Sequence, residues 1–182
     1  ATFDIRYLKQ AIELTDKMLL DFWDDINDGF FLTSTETEDL IYRPKEVYDS
    51  AIPSGNSVAA YVLQRIAHIT ANSKYIEYAD RQLRFIAGHV KEYPAGFSFT
   101  QLAYLCALYP SKEIVCVIKY LNSPDTKDLR EYMASHFEPN RIVLIKTKDN
   151  EEMLQEIAEY VKDYHIINDK TTYYICENHS CH

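Results

Sequence analysis

The hydrophobic period of this chain changes near residue 110, and the change limits the folds that the chain can adopt. Up to Pro110, apolar residues recur at spacings of three and four, which is the period of one helix face. From Ser111 onwards, continuous apolar runs rich in β-branched residues alternate with helical stretches. The sequence therefore predicts two domains, residues 1–110 and residues 111–182.

Four helices are predicted in the first domain, because each has one apolar face and a local start or stop signal. The first ends near Gly29, either Ser54 or Asn56 caps the second, Ser73 caps the third, and Pro110 ends the fourth. The short turns between them predict antiparallel helical hairpins. Between the first two helices, the aromatic piece GFFLTST is predicted as a short strand or hairpin arm.

The second domain is predicted to alternate strand, helix, strand, helix, strand. The predicted strands are EIVCVIKYL, RIVLI and the start of TTYYICENHSCH. Ser123 followed by Pro124 starts the first helix, and Asp149 with Glu152 resembles a capping box for the second. This order predicts a small sheet that is partly parallel.

Charge and residue usage exclude several classes of function. The net charge of -9 and the absence of a basic stripe argue against nucleic acid and acidic membranes as partners. No apolar run approaches the roughly 20 residues that span a bilayer, and the N-terminus does not read as a signal peptide. Because Cys106 and Cys116 lie in apolar segments, we expect buried thiols in a cytoplasmic protein.

No cofactor is expected, since the four glycines are isolated and form neither a P-loop nor a dinucleotide fingerprint. No metal site is predicted either. The only candidates are Cys176 and Cys181, whose spacing does not match the common zinc fingers. A disulfide between these two cysteines and simple packing at a strand end remain as alternatives.

The loop of residues 39–57 is the predicted functional site, because it is rich in ionisable, aromatic and turn-forming residues. Glu46 and Asp49, three residues apart, are the candidate general acid and base. The candidate substrate-binding residues are Arg43, Lys45, Tyr48, Ser54 and Asn56. The alternative interpretation is structural: Arg43 pairs with Asp49 or Glu46 to brace the loop, and Ser54 or Asn56 only caps a helix.

Three stretches, GFFLT, LIYRPKEVYDSAIPSGNSVAA and YYICENHSC, resemble the YyaL type of protein, a thioredoxin-domain-containing family that includes a spermatogenesis-associated member. The resemblance implies an N-terminal thioredoxin-like domain, absent from this chain, followed by an N-acylglucosamine-epimerase-like toroid. It covers nearly the whole chain and departs at Ser50, where the family pattern has glycine. The fold that it implies is mainly α: a partial (α/α) toroid of helical hairpins, related to the six-hairpin glycosidases, followed by a small β-α-β-α-β subdomain.

Two hypotheses about function follow from the resemblance. In the first, the toroid binds or isomerises a carbohydrate-like small molecule in a central cavity, where Arg43 orients the substrate and Glu46 or Asp49 moves a proton. In the second, the chain is a non-catalytic protein-interaction module that serves the absent thioredoxin-like domain. An epimerase needs two acid/base groups on opposite sides of one carbon, and no obvious pair is present. Self-association is expected, because an incomplete toroid would expose apolar helix faces.

Overall fold

The structure is a computed structural model that describes residues 2–37, 41–91 and 93–177, together with the backbone of residues 180–181. The chain forms two compact units, each assembled from segments that are distant in sequence. The first unit contains Ala1–Lys9, Ile69–Ala71 and Tyr109–His182. The second contains Gln10–His68 and Asn72–Leu108.

Helices build most of the second unit. They are α1 (Ile5–Phe22, whose first residues belong to the other unit), α2 (Gly55–Thr70), α3 (Ser73–Val90), a 3-10 turn (Pro94–Phe97) and α4 (Ser98–Leu108). The four predicted helices are thus confirmed, although the side chain of Asn72 rather than Ser73 caps α3. Within the described residues, no helix combines the length and the apolar character that a membrane span requires.

The predicted aromatic strand after α1 is reduced to a single bridge. Trp23 and Phe30 pair antiparallel across a tight turn, but GFFLTST forms no named strand. Gly29 closes the turn with a φ of +77°, and a Cβ at that position would collide with the Phe85 ring. The unit is stabilised by an apolar cluster whose buried members are Ala60, Leu83, Ile86, Phe97 and Ala103.

A four-stranded mixed sheet is the centre of the first unit. Its elements in chain order are β1 (Lys112–Val117), α5 (Pro124–Ser135), β2 (Arg141–Lys146), α6 (Glu151–Ile157), a 3-10 turn (Glu159–Val161), β3 (Thr172–Glu177) and β4 (Ser180–Cys181). The strand order is β2-β1-β3-β4, with β1 parallel to β2 and antiparallel to β3. Strand β1 therefore joins the parallel part of the sheet to its antiparallel part, because it pairs with both β2 and β3.

Both faces of the sheet are covered at β1, which explains why this strand is apolar without alternation. On one face, Val115 and Val117 pack with Leu154 of α6, and Ile5 and Leu8 join the same cluster. On the other face the cluster consists of Cys116, Ile118, Leu129 and Ile145, with Phe3 and Met133 against it. The sheet thus lies between two helical layers.

The predicted fold class, a mainly α chain with a partial (α/α) toroid of helical hairpins and a small appended subdomain, is wrong. The chain is a mixed α/β structure, since one of its two units is built on the four-stranded sheet and draws in Ala1–Lys9 and Ile69–Ala71 as well. Helical periodicity shows that a helix has one buried face, but it does not show what that face packs against. The toroid was implied by the resemblance, and the pattern of successive helical hairpins fits a bundle as well as a toroid.

The contribution of the sheet core can be measured at Leu154, which is 1% exposed. We expect Leu154→Ala to lower the free energy of unfolding by about 2–5 kcal/mol, because the truncation leaves a cavity against β1. Urea denaturation followed by circular dichroism measures the change. Leu108→Ala, at a residue that is 76% exposed, is the control and should change the free energy by less than about 0.5 kcal/mol. Equal losses in both variants would contradict this placement of the core.

Candidate functional site

The side chain of Asn56, the second residue of α2, lies at the centre of the predicted site and is buried. Its Oδ1 accepts a hydrogen bond from the N–H of Phe30 at 2.8 Å, and its Nδ2 donates to the carbonyl of Phe30 at 2.9 Å. Nδ2 also donates to the carbonyl of Glu46 at 2.8 Å. Gln82 Nε2 donates to both Oδ1 and the backbone carbonyl of Asn56, at 3.0 Å each. The amide therefore joins four parts of the unit.

Asp49, a candidate general base, is 7% exposed and bonded to two helix starts. Its Oδ1 accepts from the N–H of Ser54 at 2.9 Å, directly before α2. Its Oδ2 accepts from the N–H groups of Phe99 at 2.9 Å and Thr100 at 3.3 Å, in the first turn of α4. The carboxylate thus satisfies N–H groups that a helix terminus would otherwise leave without partners.

These hydrogen bonds also decide the protonation state of Asp49. Burial by itself would raise the pKa of the carboxyl, but hydrogen bonds from Ser54, Ser57, Phe99 and Thr100 outweigh burial and lower the pKa below its ordinary value. A general base works best when its pKa lies near the working pH. The environment of Asp49 suits a permanent carboxylate that holds the loop.

Ser54 and Ser57 continue the same network. Ser54 Oγ accepts from the N–H of Ser57 at 3.1 Å, so Ser54 is the N-cap of α2. The two hydroxyls lie 2.8 Å apart, and Ser57 Oγ lies 2.8 Å from Thr100 Oγ1. All three residues are buried. The predicted capping role of Ser54 is confirmed, whereas its role in substrate binding stays a prediction.

Arg43 is half-buried and packs on an aromatic ring. Its Cζ lies 4.0 Å from the centroid of Phe31, and one terminal nitrogen donates to the carbonyl of Thr33 at 2.7 Å. Its Nε is buried without a hydrogen-bond partner among the residues that the structure describes. Within residues 41–57, no salt bridge joins Arg43 to Asp49 or Glu46. The guanidinium thus braces the loop against Phe31, by a contact different from the expected ion pairs.

Lys45 forms a nearly buried ion pair. Its Nζ lies 2.6 Å from Asp24 Oδ2 and also donates to the carbonyl of Asp28. The rings of Phe31 and Phe85 lie within about 5 Å of the ammonium, at 4.8 and 5.0 Å from Nζ. The cation is therefore engaged with the turn that follows α1.

Tyr48 and Glu46 are the two candidates that face solvent. The Tyr48 ring stacks on Tyr93 with centroids 6.4 Å apart, and meets the Phe97 ring edge-on at 5.9 Å. This packing requires glycine at position 96, because a Cβ there would collide with the Tyr48 ring. The side chain of Glu46 is exposed, and only its backbone carbonyl bonds to another described residue.

The two cysteines considered as metal ligands fall at the end of the described chain. Cys176 is buried and disulfide-bonded, and Tyr164 Oη lies 3.3 Å from its sulfur. The side chain of Cys181 lies outside the described residues. In the part of the chain that is described, no group of three or more His, Cys, Asp or Glu side chains is arranged to hold a metal ion.

Four further residues complete this network, and sequence reasoning predicted the contacts of none of them. Phe30 and Gln82 each lie 26 residues from Asn56, and Thr100 lies 51 residues from Asp49. Gly96 accepts a hydrogen bond from the N–H of Asp49 at 2.8 Å. Only the isolated glycine carried a signal in the sequence, because the other three belong to ordinary aromatic or helical patterns.

The network predicts different outcomes for two neighbouring candidates. Asn56→Ala leaves buried groups of Phe30, Glu46 and Gln82 without partners, so we expect it to lower the free energy of unfolding by about 3 kcal/mol or more. Glu46→Ala should change it by less than about 0.5 kcal/mol, because the carboxylate is exposed. Urea denaturation of both variants measures the difference. A loss below about 1 kcal/mol for Asn56→Ala would contradict its central role.

Asp24 provides a prediction about pH. Burial would raise its pKa, but hydrogen bonds from Lys45, Ile26 and Asn27 outweigh burial and lower the pKa from 3.8 to about 2. A lowered pKa contributes stability above the unfolded-state value, and that stability is lost as the pH falls from about 4 towards 2. Between about pH 6 and about pH 2.5, wild type should therefore lose between about 1 and 2 kcal/mol more than Asp24→Asn.

Urea denaturation at the two pH values measures this difference. Asp80→Asn is the control, since Asp80 is a largely exposed carboxylate on α3, with a side chain 62% exposed. We expect its pH dependence to match that of wild type. If Asp24→Asn also matched wild type, the ion pair with Lys45 would not stabilise the fold.

Comparison with known proteins gives distant relatives along the whole chain. No protein-family model matches. The chain is 26% identical over 182 residues to "Spermatogenesis-associated protein 20" of Rattus norvegicus and also 26% identical to the protein of that name in Homo sapiens. It is 33% identical over 78 residues, 43% of the chain, to "Uncharacterized protein B0495.5" of Caenorhabditis elegans, and those residues cover 10% of that protein. The chain spans 23% of the length of the first two relatives.

Proposed function

We propose that this chain is a non-catalytic protein-interaction module in which the loop of residues 41–57 is a rigid support. The observation that carries the proposal is the division of the loop into two kinds of side chain. Its polar groups, above all Asn56 and Asp49, are buried and bonded within the unit. Four of its apolar and aromatic side chains face solvent, namely Ile41, Tyr42, Tyr48 and Ile52, together with Tyr93 beside Tyr48. Val47 packs instead against the apolar cluster of the unit, and Glu46 is a polar side chain of the loop that is exposed beside them.

Exposed aromatic and aliphatic residues on a rigid support favour protein binding. Interfaces are enriched in tyrosine and other aromatics, and a rigid surface loses little conformational freedom when it binds. Helix α4 adds Leu102, Leu105 and Leu108, all exposed, on a helix that also has a buried side at Ala103. A helix that is apolar on more than one side is usually covered in the assembled protein.

The same contacts speak against isomerisation at this loop. Isomerising a sugar requires two groups that accept and donate a proton at one carbon. Asp49 is held as a carboxylate by four hydrogen-bond donors, which leaves Glu46 as the one exposed carboxylate of the pair. One free carboxylate does not supply both functions.

Sugar binding without turnover is a second candidate function, favoured by the rings of Tyr48 and Tyr93. The rings are nearly parallel, at 15°, and both are about half exposed, at 48% and 57%. Aromatic faces of this kind can stack on the apolar face of a sugar ring. In this second candidate function, the ligand is a carbohydrate-like small molecule that binds on the surface of the loop region.

The proposed partner is the thioredoxin-like domain that the YyaL resemblance implies for longer proteins. The relatives are about four times as long as this chain, which covers 23% of each, so they contain much additional protein.

Ile52→Asp tests the interaction surface, since Ile52 is 74% exposed. We expect wild type to bind the purified thioredoxin-like domain of a YyaL-type protein, and the substitution to weaken binding about tenfold or more by placing a charge in an apolar contact. Leu20→Asp, at a residue of α1 that is 77% exposed, is the matched control. Titration calorimetry measures both, and light scattering records self-association of the chain.

Each outcome separates the candidates. A chain that stays monomeric and does not bind the domain would contradict the interaction proposal, as would equal effects of Ile52→Asp and Leu20→Asp. Calorimetry with glucose and N-acetylglucosamine tests the second candidate. A heat of sugar binding that wild type shows and Tyr48→Ala lacks would favour sugar binding instead. The melting temperature of Tyr48→Ala is measured alongside to show that the variant is folded.

A further inference from the structure

A cleft opens where the two parallel strands of the first unit end. Val117 and Lys146 are paired at the carboxyl ends of β1 and β2, and a cleft of about 670 Å³ lies beyond them. A second cleft of about 550 Å³ adjoins it, and both are lined by Ile118, Lys119, Tyr120 and Asp169. In open α/β sheets, ligands bind outside the carboxyl ends of the strands, in clefts of this size.

A tight turn contributes Asp169 to the lining of both clefts. Ile167 and Lys170 form an antiparallel bridge, and the two residues between them, Asn168 and Asp169, have φ values of 51° and 62°. Asparagine and aspartate tolerate this left-handed conformation better than other residues with side chains, as a two-residue hairpin turn requires. The turn brings Asp169 Oδ1 to 2.6 Å from Lys119 Nζ. Both residues of this ion pair line both clefts.

The buried lysine of the cleft floor is not available to a ligand. Lys146 Nζ donates to the carbonyls of Val161 at 2.9 Å, Lys162 at 3.2 Å and Tyr164 at 2.9 Å. An ammonium has three donors, and all three are used. Any charged contact with a ligand must therefore come from the exposed rim.

The rim carries both signs of charge. The lining includes exposed lysines at positions 119, 148 and 170, exposed carboxylates at positions 125, 149 and 169, and the partly buried Glu151. A ligand with a single charge would meet groups of like charge as well as groups of opposite charge on this rim. The rim therefore favours a ligand that carries a positive and a negative charge. Tyr120, Tyr164 and Ile166 add apolar surface for the rest of such a ligand.

We infer that the cleft binds a small zwitterionic molecule of the amino-acid type, whose carboxylate pairs with Lys119 and whose ammonium pairs with Asp169. The existing Lys119–Asp169 pair is largely exposed, with side chains 49% and 81% accessible, and exposed ion pairs contribute little stability. Inserting the ligand exchanges one ion pair for two. This site lies in the first unit and is independent of the loop surface in the second.

Three related probes test the charge requirement. L-phenylalanine carries both charges, 3-phenylpropionate only the carboxylate, and 2-phenylethylamine only the ammonium. We expect L-phenylalanine to bind about tenfold more tightly than either analogue, measured by amide shifts of Ile118 and Tyr120 in NMR titrations of the whole chain. Equal binding of all three, or no binding of L-phenylalanine at millimolar concentrations, would overturn the inference.

Two substitutions locate the site. Asp169→Asn preserves the left-handed turn but removes the negative charge, so it should weaken the binding of L-phenylalanine about tenfold and should not weaken that of 3-phenylpropionate. Lys119→Met should weaken the binding of both L-phenylalanine and 3-phenylpropionate. Lys127→Met is the matched control, because Lys127 is an exposed lysine of α5 that pairs with Glu131 outside the cleft. An equal effect of Lys127→Met, or an unchanged affinity in Asp169→Asn, would overturn the assignment.

Discussion

The hydrogen bonds of the Asn56 side chain are the constraint on which the second unit depends. By accepting from the N–H and donating to the carbonyl of Phe30, the amide reproduces the pair of hydrogen bonds that a neighbouring strand would make with that residue. Its remaining bonds to Glu46 and Gln82 tie the long loop and α3 to the start of α2. Because buried polar groups are costly when only partly satisfied, such a network holds one arrangement of the loop and excludes others.

This network explains why the loop looks like a reaction site in sequence. A brace and a catalytic site use the same residue types, since both need buried carboxylates, amides and hydroxyls with defined partners. What separates them is whether a polar group still has bonding capacity for a ligand. Asp49 uses its hydrogen-bonding capacity at the starts of α2 and α4, and Asn56 uses its own on Phe30. In the sheet unit, by contrast, the charged groups around Lys119 and Asp169 face solvent.

The fold could be predicted where its causes are local. Ser54 caps α2 and Ser123 with Pro124 starts α5, as the sequence indicates, and the β-branched run of β1 is a buried strand. Prediction fails where distant contacts intervene. The helix after residue 149 was predicted to extend through Val161, but α6 ends at Ile157. A 3-10 turn follows at Glu159–Val161, and Lys146 Nζ donates to the carbonyls of Val161, Lys162 and Tyr164. The predicted toroid is wrong for a similar reason, since the apolar face of a helix does not show which element packs against it.

The sequence by itself determined where most of the helices and the strands β1, β2 and β3 form, and which residues of the loop are chemically distinctive. Those properties depend on hydrophobic period, caps and proline positions, which act within a few residues. Only the tertiary structure decided what the distinctive residues do, because Asn56 finds Phe30 and Gln82, each 26 residues away, and Asp49 finds Thr100 51 residues away. A hydrogen bond between distant residues exists only after the packing of whole elements has brought them together, and no local pattern encodes that pairing.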